Sequence, residues 1–546
     1  MLSCTRRELI ASFLGLPLLA ACDKLGSLTS RQQRAFEGGF AGPDHALGHK
    51  LREGLAPAPS HTRQVPVLVL GAGIAGLSAA WRLLRAGQTD FEVLELERVA
   101  GGTSCAGRNA ISAFPWGAHY LPSPLPHARA ARAQLVDLGV ASQAADGELS
   151  YDESQWVRAP QERLFVLDRW YEGLFPFAGA SERDVAELTR FEKHVAELSR
   201  LQDDAGKRLF ALPLAAAGDP GPLAALDSLT FSDWLLREGY TSKRLRFFLE
   251  YGTRDDMCAR LDQTSAFAGL HYHAARSDAH GPSNFLTWPD GNGQLVARLA
   301  ARCGSLLRTS VLVTRIAALP DARWEVHTFE PATGRSEALQ AQHVIAALPD
   351  GVLSRLLPAA LNRPSLHAQG LETGAWLVAN VSLRKRPQSR GYPECWDNVL
   401  YGSQSLGYVV ATHQTDSAER ARSVWTWYLP LTGTPHEERK RLAALSFQEC
   451  CALLLADLSR PHPDIAEHIE RIDFFRWAHA MPRPAPGMFF GPLASARKRA
   501  SASLPGLSFA HTELSGLALF EEAQWHGVRA AEEVLAARGV LGEQLA

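Results

Sequence analysis

The sequence has no excess of charge of either sign. Lys and Arg total 56 against 58 Asp and Glu, a formal balance of −2 over 546 residues. A near-neutral chain has no general electrostatic case for nucleic-acid binding, and none is expected as a partner. Cysteine is scarce as well. Eight Cys in a chain this long do not make a disulfide scaffold. The 44 Gly and 32 Pro follow no collagen-like period. What is present is ordinary globular material, 46% apolar and 21% charged, which excludes global disorder. At roughly 100–200 residues per domain the length calls for two intertwined domains plus extensions.

No long apolar run opens the chain. Leu9 to Ala21 has 13 residues, interrupted by Ser12, Gly15 and Pro17. Crossing the bilayer takes about 20. Thirteen suits a signal h-region. Thr5-Arg6-Arg7-Glu8-Leu9-Ile10 resembles the twin-arginine export signal, and Leu19-Ala20-Ala21-Cys22 resembles a lipoprotein cleavage box. The resemblance implies passage through the twin-arginine (Tat) export machinery, lipidation at Cys22, and a periplasmic protein held to the membrane by a lipid anchor. Residues 1–22 are then the export signal, and 23–64 read as a tether with a short helix near Ser30 to Phe36.

Val67-Leu68-Val69-Leu70 reads as a buried parallel strand. It runs into Gly71-Ala72-Gly73-Ile74-Ala75-Gly76, followed by a helical pattern ending near Gly87. A second strand, Phe91-Glu92-Val93-Leu94, ends at Glu95, 24 residues after Gly71. Each piece has a task. Gly71 permits a tight turn, Gly73 a close approach to pyrophosphate, and Gly76 close packing of helix on strand. The helix N-terminus offers free N–H groups to phosphate. Glu95 can accept hydrogen bonds from a ribose hydroxyl. Strand, glycines, helix, strand and acid in that order make a βαβ dinucleotide unit.

The run Glu95-Leu96-Glu97-Arg98-Val99-Ala100-Gly101-Gly102 resembles the flavoprotein amine oxidase superfamily, which includes amine oxidases, protoporphyrinogen oxidases and carotenoid desaturases. So do Trp116-Gly117-Ala118-His119-Tyr120, Trp288 to Leu295, Val313 with Ile316, His343 to Pro349, and Leu507-Ser508-Phe509-Ala510-His511-Thr512-Glu513. Thr103 stands where many members carry a basic residue, and His511 where they carry glycine. The resemblance implies an α/β fold. A discontinuous Rossmann-like FAD domain would use 65–150, 280–350 and 500–546, and an α+β substrate domain 151–279 and 351–499. It places FAD against Gly71, Gly73, Ile74, Ala75, Gly76, Glu95, Leu96, Gly101, Gly102, Thr103, Gly117, Ala118, His119, Val313, Glu513 and Ala523. With no Cys in the C-terminal segment, FAD is expected to be non-covalent.

The implied reaction is hydride transfer from a substrate C–H to flavin N5, with oxygen or a quinone reoxidising the flavin. The substrate is small or lipidic. His119 is the expected titrating group. Trp288 and Trp525 are the expected substrate-facing aromatics. Many amine oxidases of this superfamily place a lysine near flavin N5, but the matching stretch Ala375 to Leu383 has none. A desaturase or isomerase acting on a hydrophobic substrate therefore stays open, as does a flavin-fold binding or assembly lipoprotein. No metal is expected. His271 and His273, read on one face of a strand, lack a Cys or carboxylate at ligand spacing. Asp255 and Asp256, also read on a strand, face opposite ways, with Arg254 as the expected salt-bridge partner.

Overall fold

The computed structural model describes residues 36–54, 57–278, 281–415, 421–540 and 542–546. The expected export signal and Cys22 lie outside the described residues. No helix among the described residues is long and apolar enough to cross a membrane.

Five short strands make a parallel sheet: β1 (Val67–Leu70), β2 (Phe91–Leu94), β3 (Leu307–Arg308), β4 (His343–Ala346) and β5 (Leu507–Phe509), in the spatial order β3-β2-β1-β4-β5. Every residue of β1 is fully buried, which explains its unbroken apolar run. Helices α1 (Ile74–Arg85), α2 (Gly293–Cys303) and α3 (Phe520–Ala537) pack against it. Gly527 of α3 meets α1. A Cβ there would lie 2.0 Å from the Ala75 carbonyl oxygen, so glycine sets the distance between the two helices. The sheet thus joins pieces of chain more than 400 residues apart.

Residues 57–64, expected to be tether, are built into the fold. Strand His61–Gln64 pairs with Arg335–Ala341, extending the antiparallel strands Leu312–Ala318, Trp324–Glu330 and Arg335–Ala341 into a four-stranded sheet. Helix His45–Glu53 precedes it, capped by the Asp44 carboxylate.

A second large sheet has eight strands. Its centre is Thr373–Leu383, flanked by Ile469–Pro482 and Ser423–Leu431. All eleven residues of the central strand are buried, so both of its faces are covered. Helices Glu182–Leu198, Lys243–Met257 and Ala266–Ala274 pack on one another, and Lys243–Met257 touches strand Ile469–Pro482 of the sheet. The latter two helices correct the strand reading of two segments. Asp255 and Asp256 sit on Lys243–Met257, and His271 and His273 on Ala266–Ala274. Glycine lets a neighbouring ring pack close against each helix. A Cβ at Gly252 would lie 2.7 Å from the Tyr272 ring, and one at Gly269 would lie 2.2 Å from the Phe231 ring. In a helix, His271 and His273 point about 200° apart and share no face. No metal-holding group of His, Cys, Asp and Glu occurs among the described residues.

Candidate active site

The turn after β1 is crowded at two glycines and open at the third. Gly71 has φ +96°, and a Cβ there would lie 2.5 Å from the Ala347 carbonyl oxygen. At Gly76 it would lie 1.8 Å from the Gly71 carbonyl oxygen. At Gly73 it would meet nothing within 4 Å. Gly73 is also the N-cap of α1 and supplies no side-chain cap. The first-turn N–H groups at Ile74 and Ala75 have no carbonyl one turn back.

Glu95 fixes the other side of this opening. Its carboxylate accepts from Ala72 N at 2.7 Å and from Glu97 N at 2.9 Å. Burial pushes its pKa up against the pull of those N–H groups. Gly101 N donates to Ala72 O at 2.8 Å, which brings Gly102 to the rim: a Cβ there would lie 3.4 Å from Gly73 Cα. The set fits a dinucleotide. An open cradle and an uncapped helix end suit a pyrophosphate, and a fixed carboxylate suits a ribose.

From there the chain leads to a rigid strip. Ala118 N donates to Thr103 O at 2.9 Å. Five consecutive carbonyls are then each held by a donor from elsewhere. Pro115 O accepts from the Asn380 amide at 2.9 Å, Trp116 O from Trp477 Nε1 at 2.7 Å, and Gly117 O from the Tyr428 hydroxyl at 2.9 Å. Ala118 O accepts from Asn292 N at 3.1 Å, and His119 O from the Thr287 hydroxyl at 2.6 Å. Three of these donors come from the eight-stranded sheet. A Cβ at Gly117 would lie 2.3 Å from Thr103 O, so the strip lies close on its neighbour.

The strip ends in an aromatic wall. The His119 ring lies 5.0 Å from that of Tyr428, 5.4 Å from Trp396 and 5.0 Å from Tyr120. Tyr120 packs on Phe285 at 4.8 Å. His119 and Tyr120 are half-buried, as Gly117, Ala118 and Asp255 are. Burial depresses the His119 pKa to about 4, so its ring is neutral at pH 7. The Tyr120 hydroxyl donates to Asp255 Oδ2 at 3.1 Å, and the Tyr251 hydroxyl to Asp397 Oδ2 at 2.6 Å. Burial pushes both carboxyl groups up. Asp256 pairs with Arg276, while Arg254 turns to the carbonyls of Ser403 and Gln404, so the expected pairing with Arg254 is replaced. Trp396, Tyr428, Phe285 and Asp397 had no mark in the sequence, because strands and loops remote in the chain deliver them.

The remaining expected residues fall around this frame. Leu96 turns toward Gly48. Val313 is buried two residues after Val311, whose N–H donates to Glu95 O. Ala523 shares a core with Ala72 and Ile74. Glu513 follows β5, where Asp350 N donates to its Oε2 at 2.6 Å. Burial alone would raise its pKa; His511 and His367, at 3.4 and 3.6 Å, outweigh that and hold it well below the carboxylate range. His511 itself has φ −156°, extended backbone open to any residue. Trp288 packs in the same core as α1 and donates to Gln155 at 2.6 Å. Trp525 lies beside His526, with the Arg529 guanidinium 5.8 Å from its ring.

Residues 74–535 match the family model described as flavin containing amine oxidoreductase. The chain belongs to this family. It is an oxidoreductase whose family cofactor is a flavin, FAD. No curated protein sequence gives a significant match. Among solved structures, a putrescine oxidase bound to putrescine is 17% identical with a TM-score of 0.62, over 87% of this chain and 100% of that one. Cyclohexylamine oxidase from Brevibacterium oxydans is 17% identical with a TM-score of 0.58, over 86% of this chain and 100% of the other. A CLA-producing fatty acid isomerase from P. acnes is 16% identical with a TM-score of 0.58, over 87% and 98%. These likenesses show a shared fold.

Proposed function

We propose that the protein is an FAD-dependent oxidase of amines. When bound, FAD supplies hydride acceptance from a substrate C–H, with oxygen or a quinone as final acceptor. One observation carries the reading. The carbonyl-pinned strip Pro115–His119 leads from the dinucleotide cradle to a cluster of aromatic rings around His119, where the Tyr120 hydroxyl meets the Asp255 carboxyl group. Pinned backbone positions a substrate, and aromatic walls keep water from the reacting carbon. Neutral His119 and the rings of Tyr120, Trp396 and Tyr428 shape the space. The two amine oxidases among the similar structures support the choice of substrate. Anaerobic addition of a panel of amines is expected to bleach the flavin absorbance of the holoprotein. Flavin bands that no amine bleaches would defeat the proposal.

A second reading rests on a different observation. The strand Thr373–Leu383 is wholly buried and carries no lysine, which suits a desaturase or isomerase working on a hydrophobic substrate. Bleaching by a polyene or fatty acid in place of amines would favour it.

FAD is held without a covalent bond in this proposal. The segment Leu507–Glu513 has no Cys, and the six described cysteines are free and buried. Acid precipitation is expected to release all of the flavin. We also propose export by the Arg6-Arg7 signal and anchoring through Cys22. Mass spectrometry of the mature N-terminus tests this, with an acylated Cys22 as the expected first residue.

A further inference from the structure

Beyond the carboxyl ends of β4 and β5, two histidines flank one buried acid. Glu513 is 2% exposed, and its carboxylate accepts from Asp350 N at 2.6 Å. His367 Nε2 lies 3.6 Å from one carboxylate oxygen, and His511 Nδ1 lies 3.4 Å from the other. The His367 Nδ1 stands 2.9 Å from Leu371 O. A carbonyl only accepts, so that nitrogen is the donor, and the His367 ring is engaged at both ends. The His511 ring is engaged at one. Glu513 N donates to its Nδ1 at 3.2 Å, which leaves the hydrogen of the neutral ring on Nε2. Protonation adds a hydrogen at Nδ1, facing the Glu513 carboxylate. Nε2 is a donor in both states and has no partner among the described residues, and the side chain is 27% exposed.

The position of this donor narrows what it can meet. The strand order β3-β2-β1-β4-β5 reverses direction between β1 and β4, and an open α/β sheet binds its ligand outside the carboxyl ends at such a point. Leu70, Ala346 and Phe509 are aligned in register across β1, β4 and β5. His511, two residues past Phe509, therefore stands on the same edge as the glycine turn. It shares a narrow crevice with Leu348, whose side chain comes within 3.2 Å of a Cβ placed on Gly71. The charged and titratable groups around it are Glu513, His367 and Asp350 with its partner Arg363, and from α3 and helix Pro492–Ser501 His526, Arg529 and Arg497. Arg497 donates to the carbonyls of Leu514 and Met488, and Arg529 to Phe509 O and Glu533. Burial keeps His526 neutral at pH 7. We propose that His511 is a cofactor-binding residue whose Nε2–H donates to a diphosphate oxygen of FAD, with Glu513 steadying the ring from the Nδ1 side. This inference rests on the FAD assignment.

The test follows FAD release from diluted holoprotein by flavin fluorescence, from near pH 6 to near pH 9. Wild type is expected to hold FAD about tenfold or more tightly at the acid end, because a protonated donor bonds phosphate more strongly than a neutral one. His511→Gln keeps an N–H donor and cannot take up charge. It should bind as wild type does near pH 9 and show no slope with pH. His511→Ala should bind more weakly still and be equally flat, while His367→Gln should keep the slope. A flat wild type would overturn the proposal, and so would a slope that survives in His511→Gln or vanishes only in His367→Gln. Binding weakened by one factor at every pH, with the slope intact, would mean contact with an uncharged hydroxyl and would also overturn it. Thermal melts show that each variant is folded; should His511→Ala fail, His511→Gln decides alone. Wild type that holds no FAD at any pH would remove the cofactor assignment first, and this role with it.

Discussion

Tyr120 and Asp255 are joined by a 3.1 Å hydrogen bond between two parts of the chain that share no element. Tyr120 ends the strip that begins at the dinucleotide cradle. Asp255 belongs to a helix beside the eight-stranded sheet. The bond therefore ties the strip to that helix.

Its energetics are open to a pH test. Burial, with the Asp256 charge next to it, lifts Asp255 to about 7, against about 3.9 in an unfolded chain. A folded-state value above the unfolded one means that the unfolded chain sheds its proton first as pH rises. Stability from this group is complete below about 4 and is lost as pH climbs to about 7. Asp255→Asn, which stays neutral, should melt with wild type near pH 4 and above it near pH 8. A variant that melts below wild type near pH 8 would mean that the ionised carboxylate is stabilising.

The three glycines of the turn predict different failures. Gly76→Val drives a Cβ into the Gly71 carbonyl and should prevent folding, seen as loss of a cooperative melt. At Gly73 a Cβ meets no protein atom within 4 Å, and the φ of −70° suits valine in Gly73→Val. It should fold and melt normally yet purify without flavin. A Gly73→Val protein with a full flavin complement would remove the cradle assignment.

Asn380 tests the pinned strip. Its amide donates to Pro115 O and its oxygen accepts from Thr426. Asn380→Leu strands both partners in the interior, at a cost of about 1–3 kcal/mol for each buried group left unsatisfied. Denaturant unfolding should report that loss. Flavin release on dilution should also quicken, because the strip borders the cradle.

Helix packing at Gly527 gives a fourth case. A Cβ there would stand 2.0 Å from Ala75 O, in backbone that has no freedom to retreat. Gly527→Ala should lower the melting temperature and weaken flavin retention together, since α1 carries both the packing face and the phosphate-facing end. A variant as stable as wild type would show that α3 can shift outward without consequence.

The sequence reveals the cradle because its parts are local. Strand, glycine turn, helix and acid occupy residues 67–95, and each is tied to a backbone requirement that few residues satisfy. The aromatic wall has no such signature. Trp396, Tyr428 and Phe285 are ordinary aromatics in their own segments: the register of Ser423–Leu431 sets Tyr428, pairing with Leu121–Pro122 sets Phe285, and Trp396 precedes the strand Asp397–Leu400. Asp255 was obscured for another reason. Tyr251-Gly252-Thr253 reads like a strand or turn by composition, but the missing Cβ at Gly252 is what admits the Tyr272 ring against a helix. Tertiary packing overrides local propensity there.

The placement of β5 and α3 also governs how the molecule is made. Synthesis runs from the N-terminus, and the partners that complete the nucleotide fold are residues 507–537, made more than 400 residues after β1. Until they arrive, β4 has a bare edge with unpaired backbone groups, the kind of template on which chains aggregate. The nucleotide fold is therefore complete only after residues 507–537 exist, and α3 comes more than 400 residues after α1, the helix that it packs on.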